Sequence, residues 1–161
     1  MRGCRKFMFV RLRAVWWWLM LPLLIIAYTA AWLVPATWWY QPGTIIIADT
    51  PGGSDPVVSA DRQIRRSFDG LNAVSIWRVP PDGHVACAGS DTLRYKGGLY
   101  HPHTAPLTQW ADDPWCARLD PGEYYAEACW TVLRPFGGLL PAKTTCINSP
   151  VFRVLAPDAD A

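Results

Sequence analysis

After a short basic stub, the chain runs from Ala14 to Tyr40 without a single charged residue, and no other feature constrains the rest so strongly. The stub carries Arg2, Arg5, Lys6, Arg11 and Arg13 and no acid; the run reads AVWWWLMLPLLIIAYTAAWLVPATWWY. About 20 consecutive apolar residues cross a bilayer as a helix, and a Lys/Arg excess on one flank keeps that flank in the cytoplasm. The pattern predicts a cytoplasmic stub over residues 1–13 and a transmembrane signal-anchor over 14–40. Trp16, Trp17 and Trp18 at one end, and Trp38, Trp39 and Tyr40 at the other, match the aromatic belts of a retained span. Between Trp17 and Trp39 a helix would rise about 33 Å, and Pro22 would kink it without ending it. A cleaved secretory signal is the alternative, with Thr29-Ala30-Ala31 as the small-residue site. The implied address is the inner or plasma membrane, single-pass, with the C-terminal domain periplasmic or extracellular and the lipid bilayer as a partner.

From Gln41 onward ten Lys/Arg face thirteen Asp/Glu, a balance of −3, so the positive charge of the whole chain comes from the stub. A nucleic-acid role would need a basic face on the folded part, and this balance argues against one. Some 120 residues suffice for one domain with its own core. Cys4 lies in the stub as a free thiol, whereas Cys87, Cys116, Cys129 and Cys146 all follow the apolar run. Without C-x-x-C spacing these four favour two disulfides over zinc.

Short β-rich runs separated by turn residues follow Tyr40, which predicts an all-β fold: a small disulfide-stabilised β-sandwich-like domain behind one N-terminal transmembrane helix. The expected organisation is a linker with a short strand (41–56, strand at Thr44–Ala48), a β domain (57–155) and a disordered tail (156–161). Val57–Phe68, with Arg62, Arg65 and Arg66, suits a charged edge strand. Asn72–Val79 and His84–Ala88 flank Pro80-Pro81-Asp82-Gly83 as a hairpin. Gly89–Cys116 is irregular, with a strand only at Ala105–Trp110. Tyr124, Ala126, Ala128, Trp130 and Val132 alternate with polar residues and form a core-facing set. Lys143–Leu155 returns as the partner strand, bent near Ser149-Pro150 because proline removes a ladder donor.

That last hairpin turns at Gly137-Gly138. Antiparallel pairing about this centre sets residue i opposite 275 minus i, hence Cys129 across from Cys146 on the outer face. Cys87 and Cys116 then pair by elimination. A slip of one residue would turn the two side chains of the first pair to opposite faces.

Leu119-Asp120-Pro121-Gly122-Glu123-Tyr124, leading to Trp130, resembles the entry into a late strand of immunoglobulin-like and fibronectin type III-like sandwiches, where a tyrosine corner sits. Tyr124 precedes Cys129 by five residues, where true immunoglobulin domains have two. The wider arrangement of Arg65-Arg66-Ser67-Phe68, Val85-Ala86-Cys87, Trp115-Cys116, Trp130 and Val151-Phe152 resembles small bacterial and phage membrane proteins with one span and a compact β domain. The likeness covers about residues 57–154 and implies fold and location, not an activity.

His101-Pro102-His103 could offer two imidazoles to one metal ion, with Asp112 or Asp113 as third ligand. Loop histidines beside proline are commonplace, and ADDPW reads first as a turn. No G-x-S-x-G elbow and no phosphate-loop glycine spacing occurs. Trp110 and Trp115 suit the core of a small domain. Tyr95 to Tyr100 (YKGGLY) sits on a glycine turn, which favours exposure and makes Tyr95, Lys96, Tyr100 and His101 the expected binding surface. The expected function is that of a non-enzymatic, membrane-anchored interaction protein binding an envelope or membrane protein, with no cofactor and no nucleic acid. The alternatives are an envelope enzyme or metal-dependent factor using His101, His103 and Asp112, and a phage-encoded host-envelope modifier that blocks superinfection.

Overall fold

The computed structural model describes residues 4–81, 83–100 and 102–156, and the chain divides into two units between Val34 and Pro35. The first unit contains one helix, α1 (Cys4–Trp32), with Pro22 inside it. Among the described residues no helix is long and apolar enough to cross a membrane. That overturns the transmembrane signal-anchor expected over 14–40, and the single-pass membrane localisation with it. The uncharged run does not stay helical to its end. The helix stops at Trp32, Ala36–Trp38 forms a 3-10 turn, and Trp39 and Tyr40 are buried in the second unit. Trp38, Trp39 and Tyr40 thus belong to the β unit and not to an interfacial belt. The Cys4 side chain and residues 157–161 of the expected tail lie outside the described residues.

The second unit is built from β1 (Tyr40–Ile47), β2 (Thr50–Pro51), β3 (Val57–Ile64), β4 (Phe68–Arg78), β5 (Val85–Tyr95), β6 (Leu99–Tyr100), β7 (His103–Pro106), α2 (Leu107–Ala111), β8 (Gly122–Val132), β9 (Lys143–Asn148) and β10 (Phe152–Leu155). In one sheet β3 lies between β1 and the short strands β6 and β7. In the other, β8 lies between β4 and the successive strands β9 and β10, with β5 beyond β4 and β2 beyond β10. The expected linker of 41–56 therefore supplies β1 and β2. The two inner faces meet around Tyr40, whose ring stacks on Trp130 at 4.8 Å between centroids.

Period-two alternation accounts for the core. Tyr124, Ala126, Ala128, Trp130 and Val132 are all buried from β8, and Val74 and Ile76 from β4. The charged strand β3 is central rather than an edge, because β1 pairs on one side and β6 and β7 on the other; its alternation sends Asp61 and Gln63 to solvent while Val58, Ala60 and Ile64 go inward. The Pro80-Pro81 hairpin forms as expected, but its second strand continues through Gly89 to Tyr95 and pairs with β4 as far as Phe68. Ala105–Trp110 is strand only to Pro106. Beyond it Leu107, Trp110 and Ala111 are buried at helical spacing, so the segment turns as α2. Gly89 permits this helix to pack: a Cβ there would stand 1.7 Å from the Ala111 carbonyl oxygen.

Both expected disulfides form, one set by the hairpin register and the other by elimination. Cys129 is opposite Cys146 in the β8–β9 ladder and bonded to it. Cys87 of β5 is bonded to Cys116 in the 3-10 turn Pro114–Arg118. At the start of β8 the Tyr124 hydroxyl donates to the Asp120 carbonyl oxygen at 2.7 Å.

Candidate functional site

The residues singled out from sequence do not assemble into one site. Tyr95 is not exposed: it is 5% accessible, stacked on Phe68 at 4.6 Å and edge-on to Tyr40 at 6.0 Å. The glycine turn begins two residues later, at Gly97, so Tyr95 ends β5 on its inward face and joins the aromatic core. Lys96 is exposed. The Tyr100 backbone pairs opposite Gln63, while its side chain and His101 lie outside the described residues. His103 is half-buried in β7, and burial, then the charge of Arg62, lower its pKa from 6.5. Asp112 caps α2 in the left-handed conformation, and Asp113 caps the following turn by accepting the Trp115 N–H. The acid pair is therefore a turn, as its proline context indicates. Trp110 is buried as expected, but Trp115 is 66% exposed, with the Arg118 guanidinium 5.3 Å from its ring centroid.

Among the described residues, only Glu127, Cys129 and Cys146 stand close enough to share a metal ion. Both sulfurs are committed to the disulfide, which leaves no thiolate for a metal. His103 and Asp112 form no such group among the described residues.

A different place brings charge and aromatic surface together. Where β1 begins, β4 starts and β5 ends, a cleft of about 340 Å³ is lined by Trp39, Arg66, Asp69, Arg94, Arg134 and Phe136, with Ser67, Phe68 and Gly137 completing it. That volume falls within the range of ligand sites. Sheet register explains the convergence: Asp69 pairs with Arg94 across β4–β5, and the Leu133 N–H bonds to the Asp69 carbonyl oxygen at 2.9 Å, which brings the turn after β8 alongside. The N–H groups of Arg65 and Arg66 both donate to the Trp39 carbonyl oxygen.

Three guanidiniums face one carboxylate. Arg94 meets Asp69 at 3.9 Å with both side chains mostly exposed, a pairing worth little in water. Arg66 lies over the Trp38 ring at 4.1 Å, a cation–π contact that leaves its charge uncompensated. Phe136 is the other unusual member. It sits at φ 50°, ψ 43°, a left-handed conformation that a bulky side chain adopts only under constraint. Its ring is edge-on to Trp39 at 5.3 Å, yet remains 48% exposed, and nearby Leu139 is 75% exposed.

Beneath this end, the core holds polar atoms without partners among the described residues. The hydroxyls of Tyr40 and Tyr95 and Nε of Arg62 are buried and have no hydrogen-bond partner among the described residues. Burial pushes both phenols up, and Arg62 partly opposes it.

The sequence carried one weak signal for the cleft. Arg134-Pro135-Phe136-Gly137-Gly138 places a large apolar residue inside a turn whose glycines alone would serve. Nothing in the linear pattern joins it to Arg66, in the β3–β4 connection, or to Arg94 of β5. No protein-family model and no curated protein matches this chain.

Proposed function

We propose that the protein is a non-enzymatic interaction module that binds a partner protein through the cleft end of its sandwich. The observation that carries the reading is Phe136. A bulky residue is held in a left-handed conformation costing about 1–3 kcal/mol, and its ring is half-exposed among three arginines. Folding alone gains little from such an arrangement, whereas exposed aromatic and Arg anchors are what protein interfaces use. The likeness to immunoglobulin-like and fibronectin type III-like modules is supported by the Tyr124 hydroxyl bonded back to Asp120, and by β8 lying centrally in its sheet. Two disulfides in a unit of this size favour an oxidising compartment.

A photo-crosslinking residue at Leu139, used in the full chain in its native cells, tests the reading. The expected result is one discrete adduct that is absent when the same group stands at Thr92, exposed on β5. Equal labelling from both positions, or none from Leu139, would remove the cleft end as the interface.

A further inference from the structure

We infer that the cleft takes an acidic peptide segment, its carboxylates held by Arg66, Arg94 and Arg134 while an apolar side chain lies against Phe136; this rests on the reading of that end as an interface. The charge count sets the ligand's sign. Three guanidiniums and one carboxylate line the cleft; among the described residues Arg134 accepts the Gly137 N–H at its backbone carbonyl, and its guanidinium has no ion-pair or hydrogen-bond partner. Neutralisation by Asp69 is partial at 3.9 Å, so about two positive charges remain for a ligand. The residue type sets its chemistry, because the planar guanidinium fork matches a carboxylate in two parallel hydrogen bonds.

The surroundings choose a peptide over a polyanion. From Gln41 onward the chain carries thirteen acids against ten basic residues. The cleft is thus a local positive spot on an acidic unit, and a nucleic acid would meet repulsion outside it. Aromatic surface adjoins these charges: Trp39 is buried below, Phe136 is half-exposed, and Leu139 projects beside the glycine turn, outside the cleft lining. A bare inorganic anion would use the arginines and leave this surface wet. An extended peptide with acids flanking an apolar residue uses both.

The test uses the full chain and a fluorescein-labelled peptide, Glu-Glu-Leu-Glu-Glu, read by anisotropy. The Lys-for-Glu peptide is the control and inorganic phosphate the competitor. Saturable binding of the acidic peptide alone is expected. It should weaken about threefold for Arg66→Gln, Arg94→Gln or Arg134→Gln, and on the order of thirtyfold for the triple variant. Asp69→Asn removes the competing carboxylate and should tighten binding about two- to threefold, a gain that no unfolding could imitate. Binding that survives the triple variant, equal binding of the lysine peptide, or no gain from Asp69→Asn would overturn the proposal. Full displacement by phosphate at matched anion concentration would make the cleft an oxyanion site and overturn the peptide assignment. A Leu139 adduct without acidic-peptide binding would leave the interface standing and remove this inference. Peptide binding without the adduct would remove the partner-protein reading and leave acidic recognition in place.

Discussion

Ser149 stands in for a missing rung of the sheet opposite Ala126. Its backbone N–H donates to the Ala126 carbonyl oxygen at 2.8 Å, and its Oγ accepts the Ala126 N–H at 2.9 Å. The Ser149 hydroxyl in turn donates to the Pro150 carbonyl oxygen at 2.7 Å. β9 ends at Asn148 and β10 begins at Phe152, so the two strands share one edge of β8 across a break that Pro150 imposes. Ser149→Ala would leave the buried Ala126 N–H without an acceptor. It should lower stability by about 1–3 kcal/mol, seen as a reduced urea midpoint with an unchanged m-value.

The disulfides differ in what they hold. Cys87–Cys116 is buried and closes a sequence separation of 29, while Cys129–Cys146 spans 17 and is partly exposed within an existing ladder. On loop length alone, removing either costs about 3–4 kcal/mol. Replacing Cys87 and Cys116 by Ala also empties core volume, because both are buried, so this variant should melt lower than Cys129→Ala with Cys146→Ala. Calorimetry of the two double variants checks the order.

How much of this was legible beforehand follows from where the determining forces act. β8 could be read because its apolar residues alternate and all face the core. The Cys129–Cys146 pair followed because a turn centred on Gly137-Gly138 sets the register by counting. Longer-range determinants were not visible. β3 became central because β6 and β7 pair beside it, which its own charges could not announce. Tyr95 went inward because β5 runs seven residues past Ala88 along β4. Leu107–Ala111 turned helical under Pro106, against a local composition that suits a strand. The cleft was hidden for the same reason: its arginines come from three separate parts of the chain.

Acid should weaken the fold through His103. Burial and the nearby Arg62 charge hold its pKa below 6.5 in the folded state. The unfolded chain therefore takes up the proton first. The associated stability is complete above pH 6.5 and is lost as pH falls through the folded value. His103→Gln should flatten that part of the profile, measured as urea midpoints between about pH 5 and 8.

Alkali should act through the tyrosines. Burial raises Tyr40 and Tyr95 above their ordinary 10.0, Tyr40 far more than a solvated phenol could be. Here the unfolded state loses the proton first, so stability is present below pH 10 and falls as pH rises beyond it. Absorbance of ionised phenol should show some tyrosines titrating with the solvent and the rest only at the unfolding transition. Tyr95→Phe should shift that transition to higher pH; smooth titration of every tyrosine before unfolding would contradict their burial.

Phe136 separates stability from binding most sharply. At φ 50° glycine is at ease where phenylalanine is strained, so Phe136→Gly recovers about 1–2 kcal/mol of backbone strain. It gives up the edge contact with Trp39 at 5.3 Å, worth about 0.5–1.5 kcal/mol beyond burial, and adds freedom to the unfolded chain. These effects nearly cancel, and the melting temperature should stay within a few degrees of the parent. Binding should not survive, because an interface aromatic of this kind carries about 2 kcal/mol or more, near a thirtyfold loss. Phe136→Ala keeps the strain while losing the ring, so it should bind as poorly as the glycine variant and melt lower. The same two proteins, compared by calorimetry and by crosslinking from Leu139, decide the matter. A glycine variant that melts far below the alanine variant would refute the strain, and one that still yields the adduct would show that Phe136 is no anchor.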